Sequence, residues 1–300
     1  MTMTVFLARI TASTLVFLIF GTKEGSASLL ENNCGTTTNI RPKIIGGEVA
    51  EIYSNPWMVL VIGEKNCGGS LITSRFVLTA AHCLFNSPMY VPEILFLHRF
   101  SKFSFCRKVR LGEYDTQNSG EDCTPTGNCI PGALEIDVDE KLMHKDFEYF
   151  TADIALLRMK NKVQFSENIR PICLLVNKQM ENITQFNITG WGETHVGGIS
   201  SRILQTATQN KLDHRLCKRK FGEQVDKTQI CAGSPTSDSC GGDSGGPMSA
   251  VIDYQGTLRH TQFGIISYGS WSCKGIGVYT NISYYMGWIS SVIQNYTVQG

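Results

Sequence analysis

The stretch from Trp57 to Cys83 reads WMVLVIGEKNCGGSLITSRFVLTAAHC. It holds two short apolar runs, Trp57–Ile62 and Ser70–Leu78, with a glycine-bearing polar turn between them. Runs of this length, rich in β-branched and aromatic residues and bounded by turn residues, read as strands. The pattern recurs at Lys108–Leu111, Ile154–Met159 and Gln262–Tyr268. No regular alternation with helical segments intervenes, so the pattern predicts an all-β sandwich or barrel. Only the last segment is helical in spacing, with Trp288, Ile289, Val292 and Ile293 forming one apolar face. A second short helix is expected near Asp213–Lys220, with Arg215, Lys218, Arg219 and Lys220 as a solvated face.

The chain has 300 residues, a formal net charge of +1 and 11 cysteines. Near-neutral charge gives no footing for nucleic acid or a polybasic membrane contact. Cysteines spread through the whole chain point to an oxidising compartment. Arg9 precedes an apolar stretch, Ile10 to Phe20, and small residues follow at Gly25, Ser26, Ala27 and Ser28. That is the form of a signal peptide, residues 1–28, whose apolar part is too short to span a bilayer. A secreted, extracellular protein is expected. Residues 29–43 are polar and read as a pro-segment; residues 44–300 form the main domain.

Ser244 lies in Gly241-Gly242-Asp243-Ser244-Gly245-Gly246-Pro247. A serine hydroxyl needs an adjacent base, and donors for the oxyanion that forms on attack. Glycines around it let the backbone turn sharply and let a carbonyl approach the N–H groups. His82, in Leu78-Thr79-Ala80-Ala81-His82-Cys83, is a candidate base. Asp153 heads the apolar run Asp153-Ile154-Ala155-Leu156-Leu157. A carboxylate in such a run must be paired, and holding one tautomer of an imidazole is such a pairing.

The order His82, Asp153, Ser244 resembles the trypsin/chymotrypsin family of serine proteases. So do Ile44-Ile45-Gly46-Gly47, Gly190-Trp191-Gly192 and Gly277-Val278-Tyr279-Thr280. The resemblance covers residues 44 to about 295 and implies two packed six-stranded β-barrels with a C-terminal helix. It implies that Ser244 is the nucleophile, His82 the general base and acid, and Asp153 the residue that orients His82. The N–H groups of Gly242 and Ser244 would form the oxyanion hole. Ser267 and Gly269 would pair with substrate backbone, with Tyr268 where a tryptophan is common. Asp238, with Gly269 and Gly277 keeping the pocket open, implies cleavage after Arg or Lys. A cut after Lys43 would free the amino group of Ile44 to pair with Asp243. These features imply protein substrates, an upstream activating protease and inhibitors such as serpins. The rival reading is a non-catalytic homologue that binds a partner, against which all three candidate residues stand.

The resemblance also implies the disulfides Cys67–Cys83, Cys217–Cys231, Cys240–Cys273 and Cys34–Cys173. One common family bridge is missing, with Phe186 and Ala250 in its place. Cys123 and Cys129, close together in a polar loop, resemble a local bridge of insect clip-type haemolymph proteases, although no clip domain is expected here. That likeness suggests an immune or clotting-like cascade. Glu113 and Asp115 resemble part of a calcium loop, but the second anchor is unclear, with Ala133 at its place and Glu135 nearby. No other cofactor is expected. Cys106 is left unpaired at the end of an apolar insertion, residues 91–106, where a free thiol on a surface loop would be a liability. Two readings stand open: a loop beside the site that restricts access, or a retained intron translated in frame. Glycosylation sequons occur at Asn182, Asn281 and Asn295, and at Asn187, which a strand should constrain.

Overall fold

The computed structural model describes residues 28–37, 48–84, 106–148, 151–176, 183–195, 197–222, 225–235, 239–270 and 275–298. Its first eight strands are β1 (Ser28–Leu29), β2 (Glu48–Val49), β3 (Met58–Ile62), β4 (Cys67–Leu71), β5 (Phe76–Thr79), β6 (Lys108–Leu111), β7 (Asp122–Cys123) and β8 (Cys129–Ile130). Then follow β9 (Leu134–Met143), β10 (Ala155–Met159), β11 (Leu175–Val176), β12 (Gln185–Gly190) and β13 (Gln205–Lys211). Helix α1 (His214–Phe221) precedes β14 (Gln229–Ser234), β15 (Pro247–Tyr254), β16 (Thr257–Gly269) and β17 (Gly275–Asn281), and α2 (Ile282–Val298) ends the fold.

Six strands close the first barrel in the order β10-β5-β4-β3-β6-β9. The second runs β12-β15-β16-β17-β14-β13 and is closed by β13 pairing back on β12, with β2 added on β13. The fold is therefore all-β, two packed six-stranded barrels and a C-terminal helix. The run at 57–62 is apolar without alternation because β3 is covered on both faces: Met58, Val59, Leu60 and Val61 are all buried. The expected single run Ser70–Leu78 is two strands. Thr73 breaks it, its Oγ1 accepting the N–H groups of Arg75 and Phe76 to form a side-chain-stabilised turn.

Strand β9 alternates instead. Its outward acids meet basic side chains from β6, β10 and the turn before β5: Glu135 with Lys108 and Arg110, Asp139 with Arg158 and Arg75. Helix α2 leaves the second barrel and packs on the first, burying Ile282, Tyr285, Met286 and Ile289 in that barrel's core. Arg158 of β10 lies over the Tyr296 ring at 4.5 Å, so the last turn also touches the first barrel. The two barrels are thus tied by the chain's own end. Asp213 caps α1 by accepting the N–H of Arg215, and its basic residues face solvent or the helix's C-terminal end, as the sequence implies.

The disulfides Cys34–Cys173, Cys67–Cys83, Cys123–Cys129 and Cys217–Cys231 are formed. Cys240 is disulfide-bonded, and its expected partner Cys273 lies outside the described residues. Continuing the β12–β15 register sets Phe186 opposite Ala250, where Phe186 is buried against Phe263 with ring centroids 6.1 Å apart. An apolar contact does fill the place of the missing bridge. Cys106 corrects the expectation of an exposed thiol. It is unpaired but fully buried at the start of β6, in the core of the first barrel. Burial pushes its pKa up to about 11, against a smaller opposing pull from Lys141. The rest of the insertion lies outside the described residues.

Residues 28–37 are built onto the body. β1 pairs antiparallel with β11, and the N–H groups of Leu30 and Gly35 donate to Leu174 and Pro171. Arg259 Nη1 donates to the carbonyls of Asn32 and Cys34, and Arg170 donates to Thr36. Among the described residues no helix is long and apolar enough to cross a membrane.

Candidate active site

The seam between the barrels gathers the three candidate residues from distant parts of the chain. His82 follows β5 in a short 3-10 turn, Ala81–Leu84, clamped by Cys67–Cys83. Asp153 lies two residues before β10, the neighbour of β5, so the barrel's own pairing brings the two together. Asp153 is 4% exposed. One of its oxygens accepts the backbone N–H of His82 at 2.9 Å and the other lies 2.7 Å from His82 Nδ1. Ser267 Oγ of β16 donates to the same carboxylate at 2.5 Å, and Thr280 Oγ1 of β17 donates to the Asp153 carbonyl at 2.8 Å. The second barrel therefore holds an acid that the first barrel presents.

Burial is the largest influence on His82 and disfavours its charged form, but the adjacent Asp153 carboxylate outweighs it and sets the pKa above the ordinary value of 6.5. Burial likewise opposes ionisation of Asp153, but the charge and hydrogen bonds of His82, with the Ser267 hydroxyl, hold its pKa below 3.8. This arrangement fixes Nδ1 as the donor to Asp153 and leaves Nε2 to act as base.

Ser244 sits on the turn that leads into β15, and that turn bridges both barrels. The Ser244 carbonyl accepts the N–H of Gly68 in β4 at 2.7 Å, while Gly245 N–H donates to Ile266 of β16 at 2.8 Å. Gly242 and Gly245 have φ of 96° and 82°, a region in which other residues are strained. A side chain at Gly245 would also run into Thr79 Oγ1 and the Gly68 carbonyl. The Cys83 sulfur lies 3.9 Å from His82 Nε2 and 3.6 Å from the Ser244 carbonyl, so the histidine and the serine turn share one neighbour. Ser244 Oγ makes no hydrogen bond to His82 in this structure.

Asp243 accepts the N–H groups of Gly192 at 2.7 Å and Cys240 at 3.0 Å. A side chain at Gly190 or Gly192 would overlap its carboxylate. The Gly190-Trp191-Gly192 motif is therefore the wall of the Asp243 pocket, a role that the sequence reading did not give it. Thr280 ends the Gly277–Thr280 motif, and nothing in the sequence points to its bond with Asp153. Gly269 and Gly277 face each other across the β16–β17 ladder beside Ser267, and a side chain at Gly277 would meet the Tyr279 ring. Lys43, Ile44, Asp238 and the Asn182 sequon lie outside the described residues.

Of the other sequons, Asn187 is inside β12, paired on both sides. Asn281 is engaged at the start of α2, its amide donating to Lys227 and its carbonyl capping Ser283. Asn295 is exposed on α2.

The suggested calcium residues do not converge. Glu113 is buried and pairs with Arg110, Glu135 turns to Lys108 and Arg110, and Asp115 pairs with Arg202.

Two barrels with an Asp-bound histidine and a glycine-cradled serine at their seam define a serine endopeptidase. The family model described as Trypsin matches residues 44–289, and the chain belongs to that family, a trypsin-like serine endopeptidase. It is similar to serine protease grass of Drosophila melanogaster, 32% identical over 282 residues, or 87% of this chain and 70% of that protein. Phenoloxidase-activating factor 1 of Holotrichia diomphalia is 32% identical over 287 residues, 89% of this chain and 74% of that one. The crystal structure of the drosophila Grass clip serine protease of the Toll pathway superposes with a TM-score of 0.72 at 31% identity, covering 88% of this chain and 75% of that one. The resemblance to insect clip-type proteases stands.

Proposed function

We propose that the protein is a secreted zymogen, activated by cleavage after Lys43, that cuts protein substrates after Arg or Lys in an extracellular immune cascade. The observation that carries the catalytic part is the two-point grip of Asp153 on His82 beside the Ser244 turn. Ser244 Oγ attacks the scissile carbonyl while His82 Nε2 takes its proton. The Gly242 and Ser244 N–H groups receive the oxyanion, and His82 then protonates the leaving amine. Asp153 stabilises the imidazolium in both transfers.

Activation rests on Asp243. The cut would free the Ile44 ammonium, and burying it against that carboxylate would order the turn that carries Gly242 and Ser244. Specificity rests on Asp238 as a carboxylate at the pocket floor. A lysine at position 43 makes the activator itself trypsin-like. The docking of residues 28–37, with Cys34–Cys173, supports a two-chain active form. The cascade role leans on the relatives, one named for activating phenoloxidase and one titled as belonging to the Toll pathway. Control by serpin-type inhibitors fits such a role.

The test is to cut the purified precursor after Lys43 and assay small Arg, Lys, Phe and Ala substrates, with Ser244→Ala as control. Activity on Arg and Lys that appears only after the cut is expected. Turnover of Phe but not Arg would overturn the pocket assignment, and an uncut chain as active as the cut one would overturn the zymogen.

A further inference from the structure

Gly241 lies between Cys240 and Gly242 and is exposed at the rim of the site. A methyl group built on it would meet Glu193 Oε1 at 2.9 Å and the Glu193 carboxyl carbon at 3.2 Å. A carboxylate from another loop therefore fills the volume that a side chain at position 241 would take. It does so one residue from the candidate oxyanion donor and three from Ser244.

That carboxylate is held in place. The Glu193 N–H donates to the Gly241 carbonyl at 2.7 Å, and Gly197 N–H donates to Glu193 Oε2 at 3.1 Å. Glu193 is bridged to Ser200, and Ser201 N–H donates to Gly192, so the loop closes on itself. Its first residue, Gly192, is also the one whose N–H grips Asp243. The loop and the serine turn thus form one connected unit. Glu193 is half-buried, and among the described residues no lysine, arginine or histidine forms an ion pair with it. The other acids around the site, Asp153 and Asp243, are each gripped by several donors.

We propose that Glu193 is a specificity residue: its charge disfavours acidic substrate side chains flanking the scissile bond and favours basic ones. The inference rests on the protease reading above and deepens it. A fixed charge at a cleft rim acts on whatever charge the substrate brings. Partly exposed to water, one such charge shifts kcat/KM about three- to tenfold, and salt weakens the effect.

The test uses the full chain cut after Lys43 and a peptide series with a single Arg cleavage site. Glu, Gln or Lys is placed in turn at each of the two positions on either side of the scissile bond, and product masses are read so that only cleavage after the Arg is counted. Wild type and Glu193→Gln are compared, since glutamine keeps an acceptor for Gly197 N–H. At one or more flanking positions wild type should prefer Lys to Glu by about tenfold, and the variant should bring that ratio down at least about threefold. Raising salt to about 0.5 M should shrink the wild-type ratio in the same direction. Identical Lys/Glu ratios in wild type and variant at every position overturn the inference and leave the protease reading intact. A wild-type preparation that cleaves none of the peptides sinks that reading, and this inference with it.

Discussion

Asp153 grips His82 at two points, one carboxylate oxygen on the backbone N–H at 2.9 Å and the other on Nδ1 at 2.7 Å. The first contact fixes where the histidine sits and the second fixes which nitrogen carries the proton. Asp153→Asn should keep the first and spoil the second, because an amide can present an N–H where an acceptor is needed. We expect kcat on a peptide substrate to fall by roughly 10⁴ with little change in KM. A drop of less than about tenfold would mean that Asp153 is only a structural support for the turn.

The same pair makes activity and stability move in opposite directions with pH. His82 has its pKa raised above 6.5, so its charged form stabilises the fold fully below pH 6.5, and that contribution is lost as pH rises through the raised value. Asp153 has its pKa lowered below 3.8, so it stabilises above that pH and the contribution is lost as pH falls through the lowered value. The ion pair is intact between the two. A general base must be neutral, so kcat/KM should climb with a midpoint above pH 6.5, across the window where the unfolding free energy declines. A midpoint below 6.5 would show that burial outweighs Asp153 at His82.

Gly192→Ala tests the pocket around Asp243. The added methyl would overlap the Asp243 carboxylate, which must then leave the Gly192 N–H or push the turn aside. Either response misplaces the Gly242 and Ser244 N–H groups. Losing one oxyanion donor costs about 10²–10³ in kcat, and we expect a loss of at least that size in the cut protein. Melting temperature should fall far less in proportion. An active Gly192→Ala enzyme would show that Asp243 does not control the turn.

The limits of the sequence are as physical as its successes. The buried strands β3 and β10 were legible because both of their faces are covered and their apolar runs are continuous, whereas β4 and β5 read as one run. Strand β9 was not, since Glu135, Asp137 and Asp139 face outward and dilute the apolar signal. Strand β13, QTATQNK, gave no signal either, because its buried Thr208 and Gln209 are polar. His82, Asp153 and Ser244 could be picked out as candidates because their short motifs are dictated by chemistry at the atom. The support from Thr280 and the stance of Glu193 could not, because each depends on a partner more than 40 residues away in the chain.

Cys106 offers a direct check on the first barrel. Its thiol is fully buried with a pKa near 11, so at pH 8 roughly one molecule in a thousand would carry the reactive thiolate even if reagent could reach it. A thiol reagent should leave the native protein unlabelled over hours and modify one cysteine once the chain is unfolded in urea without reductant. Rapid labelling of the native protein would place Cys106 on the surface, as first expected from the sequence.

The docking of residues 28–37 does not depend on Cys34–Cys173 alone. That bridge closes a separation of 139 residues, and removing it in Cys34→Ala/Cys173→Ala should cost about 2–5 kcal/mol in the uncut chain. Arg259 supplies a second hold, capping the Asn32 and Cys34 carbonyls at 3.1 and 2.7 Å. Arg259→Ala strips a charged donor from two carbonyls, one of them partly buried, and should cost about 1–3 kcal/mol in urea unfolding. Because the two holds act on the same short segment, their effects should not add: with the bridge gone, part of the segment's grip is already lost and the arginine has less to secure. In the protein cut after Lys43, the doubly substituted form should retain the segment weakly, and adding Arg259→Ala should release it on gel filtration. Full retention in the triple variant would assign the docking to the β1–β11 pairing and the carbonyl contacts of Leu174 and Pro171 instead.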